Sequence, residues 1–169
     1  MRRVLVTGIT GQDGGYLTEQ LLAEGSEVHG FVLAGDPAVL AFAEEHPSVV
    51  LHAGDLADSA GVAALVNDVE PDELYNFAGI SSVAFSWEHP VLTAELSGVA
   101  AAVLFRAALE VQERTGRRVS CVQASSTSTT ASGSRCTRPS ISDKSWSRRA
   151  SLSRPIIPKS MKASRMPGR

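Results

Sequence analysis

The sequence predicts an α/β fold: a doubly wound parallel sheet, incomplete, followed by a disordered or irregular basic C-terminal tail. Three observations predict it. Short Val/Leu-rich runs alternate with segments of helical apolar spacing as far as residue 123, the order that buries a parallel sheet between two helical layers. Glycines 8, 11 and 14 lie between the first such run and the first helix. The composition then changes near Ser125: residues 1–124 carry six arginines and seventeen Asp/Glu, a net of −11, whereas residues 125–169 carry ten Lys/Arg and one acid, Asp143, a net of +9. One ordered domain, 1–126, and a Ser/Arg-rich tail, 127–169, follow from that split.

The elements can be justified in order. Residues 3–7, Arg-Val-Leu-Val-Thr, form a short buried strand that stops at Gly8. Tyr16, Leu17, Gln20, Leu21 and Glu24 bracket the apolar stripe of a first helix, which Gly25 ends. Glu27 to Leu33 reads as the second strand. Pro37 starts a second helix carrying Ala38, Leu40, Ala41 and Phe42. Val49, Val50 and Leu51 make a third strand. Asp58 caps a third helix on which Val62, Leu65, Val66 and Val69 recur at helical spacing. Pro71-Asp72 turns into a fourth strand, Glu73 to Phe77. A long helix from Pro90 to Glu113 carries Leu96, Val99, Val103 and Leu104; Gly116 ends it, and Val119 to Gln123 is the fifth strand.

Several classes are excluded. With 43% hydrophobic residues and a net charge of −2 over 169 residues, the chain can bury a core. No stretch reads as the ~20 apolar residues that span a bilayer, so no membrane partner is expected. Arg2-Arg3 before Val4-Leu5-Val6 is too short for a signal peptide, so the expected location is cytoplasmic. Cys121 and Cys136 have neither metal-ligand spacing nor a disulfide framework, and no metal is expected.

The run Gly8-Ile9-Thr10-Gly11-Gln12-Asp13-Gly14 has G-x-x-G-x-x-G spacing. Gly8 permits a tight turn, Gly11 lets the backbone approach a pyrophosphate, and Gly14 lets the helix pack closely. The helix N-terminus then offers N–H groups to phosphates. The plain alternative is a Gly-rich turn with no ligand; its place directly after the first strand favours a nucleotide and a Rossmann-type sheet. The acid that binds the adenosine ribose in such sheets ends the second strand. Here Leu33-Ala34 stand there and Asp36 follows, either a ribose ligand or, the favoured reading, the cap of the next helix. No Arg is at hand for a 2′-phosphate, so NAD and NADP stay unseparated. Asp55 can accept from an adenine amino group and Leu56 can pack on the ring; a turn Asp is the alternative. Asn76-Phe77-Ala78-Gly79 gives small residues at the strand end where ligands lie, or an ordinary turn.

Together these residues resemble the extended short-chain dehydrogenase/reductases, and more narrowly the GDP-mannose 4,6-dehydratase family. The resemblance rests on Gly8 to Leu17, Glu27-Val28-His29-Gly30, Gly54-Asp55-Leu56 with Asp58-Ser59, Pro71 to Asn76, Ser82-Val83-Ala84, Ser86-Trp87-Glu88-His89-Pro90 and Gln123-Ala124-Ser125-Ser126. It covers roughly residues 3–126. It implies an NADP that takes a hydride from C4 of the mannose ring of GDP-mannose, loss of water across C5–C6, and return of the hydride to C6. It implies that Gly8 to Asp13 hold the pyrophosphate with Gly14 beside them in the cofactor-binding loop, that Asp55 and Leu56 hold the adenine, and that Phe77, Ala78, Gly79 and Ser81 line the rest of the cofactor. Homo-oligomers through the long helix are a further implication. Three departures stand out. Leu33 and Ala34 replace the family's basic residues. Leu92 stands where a tyrosine is expected. Ile80 and Ser82 replace Gln and His in the Asn-x-Ala-Ala/Gly-Gln-Ser-His loop.

The family's chemistry also needs a Ser or Thr hydroxyl after the fifth strand, a Glu two residues on, and a Tyr-x-x-x-Lys whose tyrosine moves the proton. Ser126 matches the hydroxyl and is equally one serine among many; Ser128 stands where the Glu should be. No tyrosine follows Tyr75, and Tyr16 and Tyr75 read as core. The expectation is a chain without turnover. Its alternative is a non-catalytic dinucleotide-binding protein with a basic interaction tail. Three accounts of the tail compete: an out-of-register segment, favoured here; a basic arm for nucleic acid, disfavoured because Trp146 is its only aromatic residue; and a natural nucleotide sensor.

Overall fold

The computed structural model describes residues 1–124. Ser125, Ser126, Ser128 and the expected irregular tail 127–169 lie outside the described residues. Five parallel strands form one sheet: β1 (Arg3–Thr7), β2 (Glu27–Leu33), β3 (Val50–Gly54), β4 (Glu73–Asn76) and β5 (Ser120–Gln123), in the order β3-β2-β1-β4-β5. The helices between them are α1 (Gln12–Ala23), α2 (Ala38–Glu45), α3 (Ser59–Val69), α4 (Val83–Glu88) and α5 (Pro90–Thr115). This is the expected Rossmann-type architecture.

Side chains alternate across β1, so Val4 and Val6 face one layer and Leu5 the other. Val4, Val6, Leu21, Val28 and Phe42 form the core under α1 and α2. Leu5, Val66, Leu74, Leu104 and Val111 form the core under α3 and α5. Asp58 caps α3 by accepting from Gly61 N at 3.0 Å, as its position before the apolar stripe predicts. β1 sits centrally, with β2 and β4 on either side. The strand order therefore reverses at β1, and a crevice opens at the carboxyl ends of β1 and β4.

The structure departs from expectation in five places. β3 is Val50–Gly54 rather than 49–51, because its pairing with β2 extends to Leu33↔Gly54 and carries polar His52 into the ladder. β4 stops at Asn76, one residue before Phe77. α4 is an additional short helix, capped by the Ser82 hydroxyl, which accepts from Phe85 N at 3.3 Å. Tyr16 is 65% exposed on α1 and is not a core residue. Finally, α5 is 26 residues long and, by length and composition, apolar enough to cross a bilayer, contrary to the sequence reading. Its second part packs on the core, with Ala100, Leu104, Ala107, Ala108 and Val111 buried, whereas no residue of Pro90–Val99 is buried. Its first part includes a π turn, Glu95–Val99.

Candidate functional site

The glycine loop is shaped by two close approaches. Gly8 has φ +68°, and a Cβ there would lie 2.7 Å from Ala78 N, so the loops after β1 and β4 touch backbone to backbone. A Cβ on Gly14 would lie 2.4 Å from the Gly8 carbonyl oxygen. Helix α1 is thus pressed onto the glycine loop itself, not only onto the sheet. Gly11 N donates to Gly8 O at 3.0 Å and closes the turn. Gly11 is also the N-cap of α1, and no side chain satisfies the first-turn N–H groups. An uncapped helix start of this kind leaves N–H donors and the positive end of a helix dipole for an anion.

Around this loop lies a cavity of about 450 Å³. Its wall brings together Gly8, Thr10 and Gly11 from the first loop, Leu33 and Asp36 from the second, Asp55 and Leu56 from the third, and Phe77, Ala78, Gly79 and Ser81 from the fourth. Four separate sequence motifs thus meet in one crevice. Ile9 does not line it: its side chain is fully buried in the α1–α2 core. Gly14 does not line it either, so Ile9 and Gly14 contribute only main chain and packing. Gln12 and Asp13 lie exposed in the first turn of α1, outside the wall.

Two features of the site escaped the sequence reading. Thr7, Asn76 and Gln123 form a polar string across the ends of β1, β4 and β5. The Thr7 hydroxyl donates to Asn76 Oδ1, and Asn76 Nδ2 donates to Gln123 Oε1 at 2.6 Å. Ala78 N in turn donates to Thr7 Oγ1 at 3.3 Å, which fixes the start of the loop after β4. The second feature is Ser97, in the π turn of α5. Its hydroxyl accepts from Ile80 N at 3.0 Å. The π turn also brings Leu96 onto the cavity wall. Such turns recur where a helix must adjust to a site, and only Leu96's apolar spacing was visible in the sequence.

Neither tyrosine is placed for proton transfer here. Tyr75 is half-buried and its hydroxyl donates to Glu73 Oε2 at 2.9 Å, toward the start of β4. Burial, then that hydrogen bond, push its phenol above the usual value. Tyr16 lies exposed on α1. Leu92, where a tyrosine was expected, is 38% exposed near the start of α5.

The glycine cradle, the uncapped helix start and the mixed apolar and polar wall suit a dinucleotide: small residues let its pyrophosphate reach the backbone, and Phe77, Leu56 and Leu33 offer apolar surface to its rings.

Comparison with known proteins agrees with this geometry. The family model for GDP-mannose 4,6 dehydratase matches residues 5–130. A GDP-mannose 4,6-dehydratase of Vibrio cholerae is 40% identical over 111 residues, which is 58% of this chain and 28% of that protein. GDP-mannose 4,6 dehydratase 1 of Arabidopsis thaliana is 38% identical over 131 residues, 72% of this chain and 36% of that protein. The chain therefore spans about a third of the length of these relatives. Among solved structures, the Bordetella bronchiseptica enzyme WbmH in complex with NAD+ aligns with a TM-score of 0.56 at 27% identity, covering 66% of this chain and 36% of that one.

Proposed function

The chain belongs to the GDP-mannose 4,6-dehydratase family, and from that premise we propose that its crevice holds a nicotinamide dinucleotide for the dehydration of a GDP-sugar to a 4-keto-6-deoxy sugar. One observation carries the reading: the loops after β1, β2, β3 and β4 converge on a single cavity at the point where strand order reverses. The family resemblance implies NADP; the NAD+ bound to WbmH supports a nicotinamide dinucleotide more broadly. When bound, that group supplies a reversible hydride acceptor.

The chain's own residues have binding roles. Gly8 and Gly11 admit the pyrophosphate to the backbone and the start of α1. Asp55 accepts from the adenine amino group while Leu56 covers its ring. Asp55 Oδ1 already accepts from Ala57 N at 2.9 Å, which fixes the carboxylate at the cavity wall. Phe77, Ala78, Gly79 and Ser81 face the other half of the ligand. Ser126 is the residue proposed to meet the sugar hydroxyl. The 169 residues contain no Tyr-x-x-x-Lys, so we infer binding without turnover for this chain. A cytoplasmic setting, a GDP-sugar as the family's substrate, and self-association through α5 belong to the same reading.

Calorimetric titration of the purified chain with NAD+ and NADP+, alongside a GDP-mannose assay for the 4-keto product, tests it. Saturable binding of at least one dinucleotide, lost in Gly11→Val, and no product are expected. Equal binding by Gly11→Val would remove the loop assignment, and any enzyme-dependent product would overturn the inferred lack of turnover.

A further inference from the structure

Resting on the dinucleotide reading, we propose that the adenosine end of the cavity is built for a ribose with a free 2′-hydroxyl, so that this chain takes NAD and discriminates against NADP.

Asp36 follows the second strand, where dinucleotide-binding sheets place the acid that receives a ribose hydroxyl. It lines the cavity. Its Oδ1 also accepts from Ala38 N at 2.9 Å at the start of α2. Asp36 stands just before Pro37, the N-cap of α2, and the bond from Ala38 N at the helix start also fixes the carboxylate at the wall, so a helix-start role and a ligand role are compatible. A ribose 2′-hydroxyl can donate to that carboxylate. A 2′-phosphate, mostly dianionic at pH 7.5, presents acceptor oxygens there, and it brings nearly two further negative charges to the same place.

Among the described residues, no basic side chain on the wall offsets that charge. Its ionisable side chains are Asp36 and Asp55, with no Lys, Arg or His among them. Leu33, 58% exposed, stands beside Asp36 where a basic side chain would serve a phosphate. The arginines of the described residues are committed elsewhere. Arg2 pairs with Glu24 and Glu73, Arg3 and Arg114 with Glu70, and Arg117 with Glu70 and Asp72. All of these stand where strands begin, about 13 Å from the carboxyl ends for a strand the length of β1. Arg118 precedes β5 at that same end. Arg106 pairs with Glu110 on α5 at 2.9 Å. Like charges a few ångströms apart near a protein surface cost enough to change affinity by at least about tenfold.

Calorimetric titration of the full chain with NAD+ and NADP+ at pH 7.5 tests the proposal. NAD+ is expected to bind roughly tenfold or more tightly than NADP+. In Asp36→Asn, whose side-chain oxygen can still accept from Ala38 N, the ratio should fall toward unity as the repulsion disappears. NADP+ binding as tightly as NAD+ in the wild type would overturn this inference and leave the dinucleotide reading standing. Failure of both to bind would overturn the two together. An unchanged ratio in Asp36→Asn would take the ribose role away from Asp36.

Discussion

His29 on β2 and His52 on β3 stand side by side across the ladder, Nδ1 to Nε2 at 2.9 Å, and His29 Nε2 reaches Glu27 Oε1 at 3.2 Å. The short contact requires one imidazole to donate and the other to accept, so the pair holds best with His52 neutral. Burial, then the neighbouring His29, hold His52 below its ordinary value of 6.5, while Asp68 on α3 opposes them. The sign follows. Between the folded value and about 6.5 the unfolded chain binds the proton more readily, so stability is present above that window and lost as pH falls through it. The wild type should lose more thermal stability between pH 7.5 and pH 5.5 than His52→Gln, which keeps a neutral hydrogen-bonding side chain. Melting curves at the two pH values decide it; parallel losses would take the titration away from His52. The pair was invisible to sequence reading, because Glu27 to Gly30 showed a motif but not the residue that β3 would place beside it.

At the scale of elements, the ends of the strands matter more than their middles. Asn76 ends β4 with no exposed surface, and its amide joins Thr7 on β1 to Gln123 on β5. Replacing it with Leu would strand the Gln123 and Thr7 partners and force an apolar side chain among polar groups. A loss of about 1–3 kcal/mol is expected, the cost of orphaning buried polar atoms. Urea denaturation of the variant measures it, and a loss under about 0.5 kcal/mol, the range of an ordinary surface substitution, would show that the string contributes little. The strands themselves were largely legible: apolar runs such as Val4-Leu5-Val6 carry their burial in their composition. Asp58 and Gly116 announced the start of α3 and the end of α5. What stayed hidden depends on neighbours. The far end of β3 exists because β2 is long enough to pair with it. The π turn of α5 accompanies Ser97's hydrogen bond with Ile80. The six residues of α4 are too few and too exposed to show a buried stripe. The glycine loop was legible as a loop, yet spacing could not show that Ile9 turns into the core while its neighbours line the cavity.

Among the described residues, most arginines are separated from the cavity along the strand direction. Arginine–carboxylate pairs gather where strands begin, with Glu70 receiving Arg3, Arg114 and Arg117. The carboxyl ends are left to the glycine loop and the cavity. Because the wall draws on the ends of β1 to β4 and on Leu96 of α5, a ligand there would bridge four of the five strands of the sheet. Such a ligand binds only the assembled fold, so its binding energy adds to global stability rather than to one loop. At a free concentration of 100 times its Kd, the gain is about 2.7 kcal/mol, a rise on the order of 10 °C in melting temperature for an ordered region of this size. The rise should continue with the logarithm of ligand concentration well past half-saturation, since mass action on a global equilibrium has no plateau. Thermal unfolding of the full chain over a thousandfold range of dinucleotide checks this. A melting temperature that levels off near saturation would mean that the ligand also binds the unfolded chain, or that the cavity opens locally before the sheet unfolds.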